Sequence, residues 1–395
     1  MKKLDILITR FPFESALGGE ELHTLHLAES LLERGHDITL LTSDVVLTKL
    51  FEEKKLNVVR GAAVSPPVTI LTLFVFTLLS PFYFLYLNWF LIKFHRQHKK
   101  DPKRADMQPV IYSLSLTEKL LMSPVAKLLG LHVVWIEHAR IGGSLTKNPW
   151  IIAYYFWSSF SQIIAPSKQT AYPIRWAKNL HIIPHGIKFD KPSFKVKSLI
   201  NQHDKATKKG HATNHKPKLL CVARLSQDKG VDYLISAILK LINHGQEIGL
   251  QIVGTGVLEE SLKKTVKELH LDRFIEFKGK VPHDKLAKLY EESDVVVLPS
   301  SEHDPFGLVV LEGMMLSKPI VLTSACGVSE YLESGVEALV IPPKDDHALF
   351  QAIKALLTNQ TLKAEIAKKG HATINSKFNY ERMIDEYEKI FLKSI

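Results

Sequence analysis

The chain has 395 residues, 46% hydrophobic and 23% charged, an ordinary globular balance with length enough for two domains with full cores. A net charge of +10 points to anionic partners such as nucleotides or lipid head groups. With no RNA- or DNA-binding module in the sequence, nucleic acid is not expected. The two cysteines, Cys221 and Cys326, lie far apart in apolar context, which excludes a disulfide framework and a cysteine zinc site and fits a reducing compartment.

In chain order, Leu4–Ile8 is a short apolar run that predicts a first buried strand, too short for a signal-peptide core. A loop with Gly18 and Gly19 follows, where a backbone could approach a phosphate or sugar closely. Helical spacing from Glu20 to Glu33 ends at Gly35, and Ile38–Leu41 predicts the next strand. This is a strand–loop–helix–strand unit without the Gly-x-Gly-x-x-Gly dinucleotide fingerprint.

Residues 61–92 contain no charged residue and no histidine, and are dense in aromatics. Lys93, Arg96, Lys99, Lys100, Lys103 and Arg104 come directly after. Length permits a membrane span, but Pro81 is expected to split the run into halves too short to cross. The pattern predicts an interfacial or re-entrant segment, residues 64–104, docking on an anionic membrane surface. The bland alternative is a buried helix pair followed by a solvated basic turn.

Val110–Tyr112 and His132–Ile136 predict two further strands. His138 falls at the C-terminal end of the second, where open α/β sheets bind ligands. Ile163–Ala165 and His181–Ile183 complete a first domain of residues 1–188. Residues 189–217 are polar and Lys-rich and predict a linker. A second βα series spans 218–375, with strands at Leu219–Val222, Leu250–Val253, Ile275–Phe277, Val295–Leu298, Ile320–Leu322 and Leu339–Ile341. Helices are expected at 230–243, 257–269, 283–293, 307–316, 328–333 and 346–358. Such alternation means a parallel sheet covered on both faces. An amphipathic segment, Tyr380–Leu392 within 376–395, is expected to pack back on the first domain.

Four loops of the second series follow successive strands and gather on one sheet edge. The first carries Arg224 and Lys229, cations suited to a diphosphate. The second carries Gly254 and Gly256, the third Asp304 to Glu312, and the fourth Gly327 to Glu330. Taken singly, each has a plain structural reading: solvated cations, tight turns, a capping aspartate.

In that order the motifs resemble those of family 4 glycosyltransferases, over nearly the whole length. The likeness is most specific in Arg-Leu-Ser-Gln-Asp-Lys-Gly (224–230) and Asp-Pro-Phe-Gly-Leu-Val-Val-Leu-Glu (304–312), the latter similar to the family's E-x7-E motif. The resemblance implies an α/β protein of GT-B fold, two Rossmann-like parallel-sheet domains facing a central cleft. It implies a retaining, metal-independent transferase using a UDP- or GDP-sugar, with no cofactor. Arg224, Lys229 and Gly19 would hold the donor diphosphate. Asp304, Phe306, Gly307, Leu308 and Glu312 would hold the sugar and ribose. His138 and Asp304 are the candidate catalytic residues, and Gly18, Gly254, Gly327 and Glu330 would support the loops.

The acceptor implied is lipid-linked or a glycan, with the protein cytoplasmic and peripheral on the inner face of the cell membrane. Asp304 departs from the family's usual glutamate, shortening that side chain. His185-Gly-Ile-Lys188 stands where Asn-Gly-Val-Asp is usual, Gln108–Ser113 lacks the family's Asp and His, and Cys326–Glu330 lacks its second Gly and its Pro. Two alternatives keep the fold: a phosphorylase or sugar-nucleotide epimerase, and a non-catalytic membrane-binding module.

Overall fold

The computed structural model describes residues 2–12, 18–64, 66–67, 69–138, 148–188 and 216–393. It divides into two compact units, Met1–Ile183 with Glu381–Ile395, and Pro184–Tyr380.

The first unit is built on a seven-stranded, all-parallel sheet of order β3-β2-β1-β4-β5-β6-β7. Its strands are β1 Leu4–Arg10, β2 Asp37–Thr42, β3 Asn57–Arg60, β4 Gln108–Ser113, β5 His132–Ile136, β6 Gln162–Ala165 and β7 Leu180–Ile182. Its longer helices are α1 Gly19–Glu33, α2 Val45–Glu53, α3 Ile70–Lys100 and α4 Trp150–Ser158. Every residue of β1 and β5 is buried, as parallel strands covered on both faces must be. Trp135 and Tyr112 are the largest side chains in this interior, each removing about 150–250 Å² from water.

Burial forces the polar residues of β1 into pairs. Asp5 accepts a hydrogen bond from His98 at 2.8 Å. Burial raises its pKa, against the opposing pull of His98 and Arg104.

The second unit is a six-stranded parallel sheet of order β10-β9-β8-β11-β12-β13. Its strands are β8 Lys218–Val222, β9 Gly249–Val253, β10 Ile275–Gly279, β11 Val295–Leu298, β12 Ile320–Thr323 and β13 Leu339–Ile341. The covering helices are α5 Val231–Asn243, α6 Glu259–Glu268, α7 His283–Glu292, α8 Leu308–Met315, α9 Asp346–Thr358 and α10 Gln360–Lys377. In both sheets the order reverses at one strand pair, β1/β4 and β8/β11, and such a reversal opens a crevice at the strands' C-terminal ends. The last helix, α11 Tyr380–Leu392, lies in the first unit from Glu381 onward. There Arg34 meets Glu381, Asp385 and Glu388 within 3.0 Å.

Pro81 does not split the apolar run, which forms the single 31-residue helix α3 with Pro81 inside it. The proline's missing N–H would have bonded the Thr77 carbonyl. The Ser80 hydroxyl donates to that carbonyl at 2.9 Å instead. The compact units divide after Ile183, five residues before the boundary expected from the sequence. Residues 184–188 pack with the second unit because Ile187 bridges Asn379 and the His185 ring rests on Phe306 at 5.0 Å. The linker reading for 189–217 falls, up to residue 215, outside the described residues. The expected helix at 328–333 is a 3-10 turn, Gly327–Tyr331.

Candidate functional site

The second unit brings its four sequence-marked loops together. The loop after β8 runs through Arg224 into a 3-10 turn, Gln227–Lys229, closed by Gly230 at φ 61°. A side chain at Gly230 would collide with the Pro299 carbonyl, so glycine lets this loop abut the one after β11. The two are stitched by Ser301 N–H donating to the Asp228 carbonyl at 2.9 Å and Ser301 Oγ donating to the Gln227 carbonyl at 2.7 Å. On the other flank Gly254, at φ 129°, packs against the Ala223 carbonyl with no room for a Cβ. Leu225 N–H donates to the Thr255 carbonyl at 3.0 Å.

This frame carries the charged groups. Lys229 is buried and its Nζ lies 2.7 Å from Asp304 Oδ2 and 3.2 Å from Asp228 Oδ2. Burial alone would lower the Lys229 pKa. The Asp304 and Asp228 carboxylates outweigh it and hold the ammonium above its ordinary value. Asp228, despite burial, is held below the usual carboxylate range by Ser226, Lys229 and Arg224. Arg224 itself is exposed.

Asp304 also accepts from Ser300 Oγ and from the Phe306 N–H, each at 3.3 Å. It therefore does not cap helix α8; Gly307, at φ 86°, occupies the cap. The backbone of Asp304 is tied to the loop after β12, with Asp304 N–H donating to Ala325 and Gly327 N–H donating to Asp304. Gly327 thus ties the turn after β12 to the Asp304 backbone, and Glu330 is exposed at the end of the same turn.

Glu312 stands in the fifth position of α8. Its Oε2 accepts the Tyr290 hydroxyl at 2.6 Å. Tyr290 is buried in the unit's core, and burial with the Glu312 charge pushes its pKa well up, so it stays a donor. Sequence reasoning missed Tyr290. The available signal was a tyrosine on the apolar face of α7, since a buried hydroxyl needs a partner. The N-terminal amides of α8, next to Phe306, Gly307 and Leu308, add a positive end to the same edge. Together these features offer an exposed Arg, a Lys held by two acids and a Glu with a fixed carboxylate, a set suited to a diphosphate with attached hydroxyls. No group of three or more His, Cys, Asp or Glu that could hold a metal ion occurs among the described residues.

The first unit places the remaining candidates around its own reversal point. Gly18 is the N-cap of α1 and Gly19 its first residue. The acids Glu20 and Glu21 that follow are gathered by buried Arg10, at 3.5 and 2.6 Å, which also reaches Asp44 at 3.3 Å. His138 follows β5, its ring edge-on to His23 at 5.8 Å. Burial, with the charges of His23, Arg10 and Lys119, drives its pKa well below the ordinary value, so its imidazole is neutral at physiological pH. Next to it, Glu137 accepts from Lys119 and from the Tyr154 hydroxyl, both at 2.8 Å.

Two family models match the chain: one described as glycosyl transferases group 1 over residues 202–373, the other as glycosyltransferase family 4 over residues 17–191. The uncharacterized glycosyltransferase MJ1607 of Methanocaldococcus jannaschii is 23% identical over 388 residues, 95% of this chain and 94% of that one. The alpha-D-kanosaminyltransferase of Streptomyces kanamyceticus is 26% identical over 181 residues, 46% of this chain and 47% of that one. The solved structure of Anabaena Alr3699/HepE in complex with UDP and glucose is similar with a TM-score of 0.74 at 19% identity, covering 98% of both chains. That likeness carries the fold, two Rossmann-like parallel-sheet domains.

Proposed function

Because the chain belongs to the family 4 glycosyltransferases of GT-B fold, we propose that it moves a sugar from a UDP- or GDP-sugar to a lipid-linked or glycan acceptor. The transfer retains anomeric configuration, uses no metal ion, and takes place at the cytoplasmic face of the membrane. The observation that carries the donor reading is the ion pair of Lys229 with Asp304, in the loop that leads into α8, the helix whose fifth residue, Glu312, accepts the Tyr290 hydroxyl. The relative solved with UDP and glucose bound supports a nucleotide-sugar as the ligand.

In this reading the leaving group is a nucleoside diphosphate whose growing charge must be stabilised. Arg224, exposed, grips it through its planar fork. Lys229 serves as a point charge that keeps Asp228 as a partner, while Asp304, its nearer acid, accepts from a hydroxyl of the transferred sugar. Glu312, fixed by Tyr290, accepts from the ribose hydroxyls. The α8 amides contribute their dipole without reorganising. His138, neutral, can accept or donate one hydrogen bond to a sugar hydroxyl.

A thermal-shift panel of UDP- and GDP-sugars tests this. One nucleotide series should raise the melting temperature of wild type and fail to raise that of Glu312→Ala. No shift with any sugar nucleotide would leave the non-catalytic reading standing. Sugar phosphate formed from donor and inorganic phosphate, without acceptor, would point to a phosphorylase.

A further inference from the structure

Helix α3 is apolar on two opposite faces. The inner face buries Phe76, Leu87, Leu91 and Phe94 in the core of the first unit, and ends at His98 bonded to Asp5. The outer face repeats at spacings of three and four: Leu71, Phe74, Leu78, Phe82, Leu85 and Trp89. All six are more than half exposed, uncovered by any described residue. At 1.5 Å per residue this stripe runs for about 27 Å. The same stripe then continues as Lys93, Arg96 and Lys100, all exposed. A mean hydropathy of 2.0, in a window only 11% buried, is not that of a helix evolved to face water.

A second element extends the face. Helix α4 is joined to α3 by Trp150, whose ring stands on Phe76 at 5.1 Å and whose Nε1 donates to Thr77 Oγ1 at 3.0 Å. From α4 and the turn after it, Ile152 is 75%, Phe156 55% and Phe160 43% exposed. Where the α3 stripe turns basic, Lys93 Nζ lies 5.3 Å from the Trp89 ring centroid. A shallow concavity there is lined by Trp89, Lys93, Arg96 and Lys100. An aromatic at the apolar–basic border and a cation-lined hollow beyond it suit a helix lying obliquely in one leaflet, its apolar stretch among the acyl chains and its basic end at the phosphates.

We propose that the outer faces of α3 and α4 insert together into one leaflet of an anionic bilayer, with Lys93, Arg96 and Lys100 at the level of the lipid phosphates. This rests on the membrane part of the proposed function and not on its sugar chemistry. Spanning is disfavoured because α3 would have to withdraw Leu87, Leu91 and Phe94 from the core. A second copy of the chain is a poor occupant, since an antiparallel pairing sets cations on the apolar stripe and a parallel one sets cations on cations.

The test is flotation of the full chain with phosphatidylcholine vesicles, with and without phosphatidylglycerol. Wild type should float with the anionic vesicles. Reversal of Lys93, Arg96 and Lys100 to Glu should weaken that binding about 100-fold or more, since each cation near the surface contributes to partitioning independently. Phe82→Glu and Phe156→Glu should each lower it on both vesicle types, while the thermal shift with sugar nucleotides stays as in wild type. Failure of wild type to float overturns the proposal, as does Phe156→Glu floating like wild type. A stripe variant that changes sedimentation from dimer to monomer without changing flotation assigns the face to a second copy. Flotation without any nucleotide shift would keep this proposal and remove the donor reading instead.

Discussion

Replacing Lys229 with Met separates the structural role of the Lys229–Asp304 pair from its role in binding. Both side chains are only 11% exposed and the charged atoms are 2.7 Å apart. Removing one partner of such a pair strands the other charge, at a cost of about 3–5 kcal/mol. Asp304 keeps Ser300 Oγ and the Phe306 N–H, which places the loss toward the lower end. For a unit of this size each kcal/mol moves the melting temperature by about 2–4 °C, so a loss of about 3 kcal/mol should melt the second unit roughly 6–12 °C lower. The double variant Lys229→Met with Asp304→Leu removes the closer pair and should regain part of that loss, since an apolar pair tolerates the same burial while Asp228 loses Lys229 and keeps Ser226 Oγ. Neither variant should bind UDP or GDP within about tenfold of wild type, as a charge-assisted bond to the diphosphate is gone in both. Calorimetric scans with tryptophan fluorescence would resolve the two units. A single variant that melts with wild type, or a double variant that melts lower than the single, would refute the reasoning about the pair. Undiminished nucleotide binding would refute the role in the donor site.

Glu312→Ala should abolish transfer, and Tyr290→Phe, which removes only the hydroxyl that holds the Glu312 carboxylate, should weaken donor affinity about tenfold while leaving the circular dichroism unchanged. Gly254→Ala sets a methyl group on the Ala223 carbonyl at φ 129°; both the clash and the strain should drop the second unit's melting temperature and disorder Arg224, read as lost nucleotide shift. The first unit should lose stability as pH falls below about 6.5. Burial lowers the pKa of His36, His132 and His138, so the unfolded chain binds protons there that the folded unit refuses. Glu118, buried with its pKa raised to about 7, acts oppositely, its contribution being lost as pH rises through that range. Melting temperature measured across this window should fall on the acid side, and His36→Gln with His132→Asn should flatten the slope.

The parallel sheets were legible because their strands are uninterrupted apolar runs such as Val295–Leu298, and because glycine or proline turns punctuate them. The gathering of the four marked loops was legible for the same reason, since loops after parallel strands of one sheet share one edge. Helix α3 was misread at Pro81 because the rule that proline breaks helices presumes an unpaired carbonyl, and the adjacent Ser80 supplies the missing donor. Helix α10 was missed because its sequence mixes lysines with Gly370 and shows little periodicity. It is held by the Asn359 cap and by packing instead. The ion pair between Lys229 and Asp304 lies 75 residues apart in sequence, and no local pattern encodes such a meeting. Tyr290 was not singled out, because a tyrosine within a helix shows nothing locally of the partner its hydroxyl reaches, here Glu312.

The central claim is that the second unit binds a nucleoside diphosphate through Arg224, Lys229 and Glu312. Calorimetric titration of UDP and GDP into wild type, Arg224→Ala, Glu312→Ala and the surface control Lys264→Ala tests it directly. Saturable binding of one nucleotide to wild type and to the control, weakened about tenfold or more in the other two, is the result expected. Equal binding in all four proteins, or none in wild type, would contradict it.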